Sequence, residues 1–251
     1  MTARYRAPSR RAGPQLAVAR LRRYGAIGAA EEALIGSLED WRPDPPGVEL
    51  IRDVRSATPR LLLSGWAAKV RWLSDGRRQI VSFVLPGDGL ALHQRPHPLG
   101  LCPVMALTPV QTVDAAPLIR AVTQLPQTAP LRQALDVAAS LEEVWVLDQV
   151  IRLGRLAAYE RMAHLIMELR WRLTAVELGV GDQFPFPLTQ ETLADALGLS
   201  IVHVNRTLQQ MRREKLIELQ NGRLRVLDPV AMAQLCDFRE PQPQTWLEAA
   251  A

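Results

Sequence analysis

Between Pro187 and Leu227 the chain sets helical periodicities, capping residues and turn residues in an order that few folds accommodate. Thr189 is placed to cap a short helix whose Leu193, Ala194 and Leu197 share one face. Gly198 supplies the left-handed backbone of a sharp turn, Leu199 can fill the angle it makes, and Ser200 caps a second helix. From Ser200 to about Lys215, Val204, Leu208 and Met211 recur at i, i+4 and i+7, which predicts one buried stripe. The opposite side carries Val202, His203, Asn205, Arg206, Gln209, Gln210, Arg212 and Arg213, with Glu214 the one carboxylate nearby. Donors and positive charge on one face suit a polyanion. Asn221-Gly222 then joins Leu216–Gln220 to Arg223–Leu227 as a type I′ hairpin would, since that turn needs positive φ at both central residues. An inert helical hairpin with a solvated charged face would share the second helix but not this succession, so the sequence predicts a winged helix-turn-helix that binds double-stranded DNA.

LTQETLADALGLSIVHVNRTLQQMRREKLI, residues 188–217, resembles the C-terminal domain of the Crp/Fnr family of bacterial transcription regulators, one branch of it almost residue by residue. LSGWAAKVRWLSDGRRQIVSFVLPGD, residues 63–88, is similar to the β-roll sensor domain of the same family. The resemblance implies an α+β protein: an N-terminal antiparallel β-roll of the cyclic-nucleotide-binding type, a long dimerisation helix and a C-terminal winged helix-turn-helix. It further implies a homodimer reading a palindromic operator, with RNA polymerase as a further partner. The start of the second helix would enter the major groove, with Ile201, Val202, Asn205 and Arg206 at base-reading positions. Arg206 can grip guanine O6 and N7 with two hydrogen bonds. Thr189, Ser200, His203 and Gln209 are candidates for additional base or phosphate contacts. The best-studied members carry a glutamate where Val202 stands, and valine accepts no hydrogen bond, so their half-site does not transfer.

The resemblance also implies what the sensor should hold, and the sequence departs from it. Cyclic-nucleotide binders of this fold place a Gly-Glu pair and an Arg-Ser or Arg-Thr pair downstream of the PGD turn. Here LALHQRPHPLGLCPVMALTPV offers only Arg95, followed by proline, which argues against cyclic AMP or GMP. The iron-sulfur branch needs cysteines near the N-terminus, and none is there. Haem would need axial ligands, for which His93, His97 and Cys102 are the nearby candidates, but Pro96 and Pro98 oppose a shared helical face. No cofactor or metal is therefore expected, and with no nucleophile–base pair or phosphate-cradling glycine loop the chain does not read as an enzyme. The alternative is a haem- or small-molecule-sensing module that regulates a protein partner without DNA; it would show an intact pocket and a damaged helix-turn-helix, the reverse of this sequence.

The remaining chain can be divided by texture. At 251 residues it can hold two modest domains, and its +4 net charge is compatible with nucleic acid. It contains no run of about eighteen apolar residues and no secretory leader, so a cytoplasmic protein is expected. Residues 1–25, with Arg4, Arg6, Arg10, Arg11, Arg20, Arg22 and Arg23, read as a basic flexible tail. A short helix over Ala29–Leu38 opens the sensor-like domain, 26–130, which continues as short apolar runs with turns at Ser74-Asp75-Gly76 and Pro86-Gly87-Asp88-Gly89. Residues 131–155 predict a long helix with Val137, Leu141, Val144 and Ile151 at three-four spacing and Asp148 interrupting the seam; the resemblance implies that this seam is the two-fold dimer interface, the other reading being a helix packed only on its own domain. Gly154-Arg155 marks a hinge. The DNA-binding domain, 156–238, starts with a helix that turns Met162, Leu165, Ile166 and Leu169 inward, beside a structural His164; 239–251 is a second flexible tail.

Overall fold

The computed structural model describes residues 13–52, 57–92, 102–179 and 181–243. The candidates Arg95, His93 and His97, the first four arginines of the N-terminal stretch and most of the C-terminal tail lie outside them. The chain divides into two compact units, one gathering residues 13–69 with 83–144, the other Val70–Ser82 with Trp145–Glu240.

Two antiparallel sheets share one core, whose residues all lie in the first unit. Strands β1 (Trp41–Asp44), β3 (Arg60–Ser64), β6 (Gly89–Leu90) and β8 (Val110–Asp114) form a sheet of order β1-β8-β3-β6. The other sheet has the order β2-β7-β4-β5, from β2 (Glu49–Ile51), β4 (Ala67–Trp72), β5 (Arg78–Val84) and β7 (Val104–Ala106). Leu62, Leu90 and Val110 of the first sheet and Ile51, Ala67, Val84, Val104 and Ala106 of the second pack into one buried cluster. Alternation of such residues along half-buried strands is what the sequence pattern reports. The Ser74-Asp75-Gly76 turn closes the β4–β5 hairpin as expected, with the Leu73 amide bonded to the Arg77 carbonyl at 2.8 Å. The α+β architecture expected from the sequence is present in full: antiparallel sheets, a long helix and a C-terminal helix-turn-helix.

The N-terminal stretch is not a tail throughout. Gly13–Arg22 is a helix, α1, that buries Pro14, Ala17, Val18 and Leu21, a run of i, i+3, i+4, i+7 that the surrounding arginines obscure in the sequence. Arg20 is buried too: its guanidinium pairs with Asp88 at 3.0 Å and donates to the Pro86 carbonyl at 3.0 Å. Gly87, at φ +89°, lets that turn approach so closely that a Cβ there would lie 2.9 Å from the Leu16 carbonyl oxygen. Two further helices belong to the same unit, α2 (Ala29–Gly36) and α3 (Ala116–Gln124).

The long helix α4 spans Ala129–Arg155, 27 residues, and passes through Gly154 without a break. The helix runs through the expected hinge at Gly154-Arg155, and the break in helical geometry lies two residues later, at Leu156–Ala157, before α5 (Ala158–Thr174). Along α4, Val137 and Leu141 are buried within the protomer and Val144 is half-buried, so these members of the expected seam are largely spent on the chain's own core. The apolar side chains left outside are Leu147 (62% exposed), Val150 (63%) and Ile151.

Candidate nucleic-acid interface

The helix-turn-helix is built by local chemistry. Thr189 accepts a hydrogen bond from the Thr192 amide at 3.1 Å and so caps α6 (Gln190–Leu197). Gly198 ends that helix at φ 63°, ψ 39°, the left-handed conformation that costs glycine little. Ser200 caps α7 (Ile201–Arg213) by accepting from the His203 amide at 3.2 Å. Val204, Leu208 and Met211 are buried as the spacing predicts, joined by Thr207. Ile201, Val202, His203, Asn205, Arg206 and Gln209 are all exposed on the other side, and Arg206 makes no hydrogen bond or ion pair among the described residues. The structure thus brings every sequence-predicted base-reading residue onto one helix face. The Gln209 amide donates to Asn205 Oδ1 at 3.0 Å, pre-ordering both. The hydroxyls of Thr189 and Ser200 are engaged as caps; a phosphate near them would meet the unpaired amides of a helix N-terminus.

The wing follows. Strands β10 (Ile217–Gln220) and β11 (Arg223–Val226) pair antiparallel with Gln220 opposite Arg223, and Asn221 and Gly222 stand at φ 51° and 71°, the turn the sequence predicts. Gln183–Pro185 is a third strand of this sheet, β9, that places Phe184 opposite Leu224. The signal was present in the alternation Gln183-Phe184-Pro185-Phe186, whose phenylalanines are both buried. Asp228 caps α8 (Pro229–Cys236) through the Ala231 amide at 2.9 Å. Burial raises the Cys236 thiol to about 11, so it is inert at neutral pH.

What holds α6 in place was not foreseen. The last carbonyls of a helix have no partner within it. Here the Ala196 carbonyl accepts from the side-chain amides of Gln149 on α4 (2.6 Å) and Gln79 on β5 (3.2 Å), and the Leu197 carbonyl accepts from Arg161 on α5 (3.1 Å). Asp195 receives both Nε and Nη2 of Arg78, at 2.9 and 2.6 Å. The Gln149 amide also reaches the Ile80 carbonyl at 3.3 Å.

Behind this lies a buried charge network. Glu168 of α5 takes Arg152 of α4 on one oxygen (2.6 Å) and Arg172 on the other (3.0 Å). Arg172 also lies over the Trp145 ring, 5.5 Å from its centroid. His164 is buried, its Nδ1 faces Arg152 Nη2 at 3.0 Å, and its ring packs edge-on against Phe238. Burial, with the adjacent Arg152 cation, holds the imidazole down to about 4. Asp148, beside the same network, is pushed up to about 6, first by burial and then by Glu168, against the opposing pull of Arg152. A glutamate and an arginine four apart within the apolar run of α5 were the one sequence signal for this network.

Among the described residues no group of three or more His, Cys, Asp or Glu side chains is arranged to hold a metal ion, and no helix is long and apolar enough to cross a membrane.

Residues 160–235 match the family model of the Crp-like helix-turn-helix domain. The chain is 35% identical over 176 residues to the nitrogen fixation regulation protein FixK of Bradyrhizobium diazoefficiens, covering 69% of this chain and 72% of that one. It is also 35% identical over 170 residues to the transcriptional activatory protein AadR of Rhodopseudomonas palustris, covering 67% and 69%. The solved structure of FixK2 from Bradyrhizobium japonicum superposes with a TM-score of 0.67 at 23% identity over 80% of this chain and 98% of that one, a likeness of fold. With the intact helix-turn-helix, these relatives leave no support for a sensing module that has given up DNA. The chain belongs to the Crp/Fnr family and is a DNA-binding transcription regulator, not an enzyme.

Proposed function

We propose that this regulator acts in the cytoplasm as a homodimer reading a palindromic operator, with RNA polymerase as its partner in transcription and without control by cyclic AMP. The observation that carries the reading is the exposed face of α7, where Arg206 is exposed beside Asn205 and makes no hydrogen bond or ion pair among the described residues. Arg206 grips a guanine, Asn205 and Gln209 read an adjacent base, and Ile201, Val202 and His203 complete the contact with base edges. Thr189 and Ser200 lie at helix starts that receive phosphates, while Arg212, Arg213 and Arg223 add attraction that weakens with salt.

The dimer seam follows the exposed side chains rather than the whole apolar pattern of α4. Leu147, Val150 and Ile151 form its centre, with Val144 at its edge, and Val137 and Leu141 support it from the protomer interior. Two chains paired this way present two recognition helices, as a palindromic site requires. Against cyclic-nucleotide control stands the stretch 89–110, whose only arginine precedes a proline and which has no carboxylate for a ribose.

The test is selection of duplexes from a random pool by the purified full-length protein without added ligand, with oligomeric state measured by light scattering. A two-fold symmetric consensus bound by a dimer is expected. Arg206→Ala should lose at least tenfold in affinity and its preference at one guanine per half-site, on the scale of ~1–3 kcal/mol for a bidentate contact. Leu147→Glu with Val150→Glu should leave a monomer at micromolar concentration; a dimer unchanged by that pair would remove the seam from the reading.

A further inference from the structure

Two side-chain amides each bridge the same pair of backbone carbonyls. Gln79 donates to Ile80 at 2.9 Å and to Ala196 at 3.2 Å; Gln149 donates to them at 3.3 and 2.6 Å. Each amide thereby uses both of its N–H groups. Ile80 lies on β5, an edge strand, and Ala196 in the last turn of α6, where carbonyls go unpaired within the helix. Arg161 adds a third tie: it donates to the Leu156 carbonyl (2.8 Å), at the break after α4, and to the Leu197 carbonyl (3.1 Å). The turn itself lies against α4, since a Cβ built on Gly198 would sit 3.4 Å from Leu153 Cδ2. Gln149 is buried on α4, yet Leu147 and Val150, exposed on the same helix, are within ~3 Å of it along the axis. One side chain therefore connects the proposed dimer seam to the end of α6, directly before the turn into α7. Apolar contact is non-directional and can slide, whereas hydrogen bonds weaken steeply with distance and angle.

We infer that this clasp sets the spacing of the operator: Gln79, Gln149 and Arg161 are positioning residues that hold each recognition helix at one distance and one angle from the dimer axis, so that the two half-sites are read at a single separation. The inference rests on the proposed dimer and its palindromic operator. One base pair added between half-sites moves them apart by ~3.4 Å and turns one against the other by ~35°. Shared between two protomers, this is ~1.7 Å and ~17° each. A shift of that order at α6 would stretch the 2.6 Å bond from Gln149 to ~4.3 Å, where it no longer holds. A misspaced site therefore costs the dimer either a clasp or a half-site. Each net hydrogen bond is worth about two- to tenfold in an equilibrium, which sets the scale of the discrimination.

The experiment uses full-length protein and the selected operator, the same duplex with one base pair inserted or deleted at its centre, and the duplex with the guanine of each half-site replaced. The readout is the affinity for the correct spacing divided by that for the wrong one. In the wild type this ratio should be at least about tenfold. Gln149→Glu keeps the oxygen that accepts from Arg152 and removes the amide. Gln79→Met removes the other amide from a half-buried position and leaves each carbonyl its bond from Gln149. Either change should lower the ratio at least about twofold and both together at least about fivefold, with the guanine preference kept within about twofold. A protein that is merely destabilised binds every duplex more weakly by one factor, which leaves the ratio unmoved. Should Gln149→Glu fail to fold, Gln79→Met decides alone. A wild type indifferent to spacing, or variants that keep its ratio, overturn the inference; so does a guanine preference lost together with the spacing, which would make the clasp a support of α7 itself. If no two-fold consensus emerges, or the protein carrying Leu147→Glu and Val150→Glu stays dimeric, the underlying reading has failed and the inference falls with it.

Discussion

Replacing Glu168 by alanine should be among the most damaging single changes outside the hydrophobic core. Its carboxylate is 3% exposed and neutralises Arg152 at 2.6 Å and Arg172 at 3.0 Å, both themselves buried. Alanine would take from the buried Arg152 guanidinium the carboxylate it pairs with, and breaking a buried pair this way costs about 3–5 kcal/mol. Arg172 keeps part of its compensation from the Trp145 face, which favours the lower half of that range. For a chain of this size 1 kcal/mol corresponds to about 2–4 °C in Tm, so thermal denaturation of the full-length protein at pH 7.5 should show a loss of about 6–15 °C. A paired control separates charge from packing. Glu168→Leu combined with Arg152→Met removes the charge pair together and should lose less than Glu168→Leu alone, because an uncompensated charge costs more than an apolar pair of similar volume. A Glu168→Ala protein melting within about 2 °C of wild type would refute the assignment of this network as a buried, counter-balanced cluster.

Asp148→Asn should stabilise the protein at neutral pH. The folded-state pKa of about 6 lies above the ordinary aspartate value of 3.8, so the charged form is disfavoured in the fold, and the gain from asparagine should vanish as pH falls through 6 toward 4. His164 works in the opposite sense: held near 4 against 6.5, it contributes fully above about pH 6.5 and that contribution is lost as pH falls toward 4, so His164→Gln should flatten the acid limb of a stability–pH curve. Arg78→Asp and Asp195→Arg should each lower Tm and weaken operator binding, although neither residue lies on the base-reading face. The double reversal should recover most of both, and a double variant that loses the sum of the two single losses would show that the pair at 2.6 Å carries no coupling.

The parts of this protein that read directly from the sequence are those whose physics is local. Thr189, Gly198, Ser200 and the Asn221-Gly222 turn each fix backbone groups within a few residues, and all of them sit where their chemistry placed them. The failures share a different cause. The helix α1 was hidden because its apolar spacing from Pro14 to Leu21 lies in an arginine-rich stretch and is interrupted by Arg20, itself a core residue through Asp88, a partner 68 positions away by their numbers. On α4 apolar residues fall on more than one side, so periodicity alone could not say whether Val137 and Leu141 or Leu147 and Val150 faced out; tertiary burial, which takes in the first pair and leaves the second exposed, decides it. The grip on α6 is the most consequential omission. Gln79, Gln149 and Arg161 are unremarkable polar residues in the sequence, separated by 117, 47 and 36 positions from the carbonyls they satisfy. Yet those carbonyls lie at the end of α6, directly before the Gly198 turn that sets the direction of α7. The residues that touch DNA are therefore legible from local pattern, while the residues that aim them are long-range polar ties, which a single sequence does not encode as any pattern of spacing.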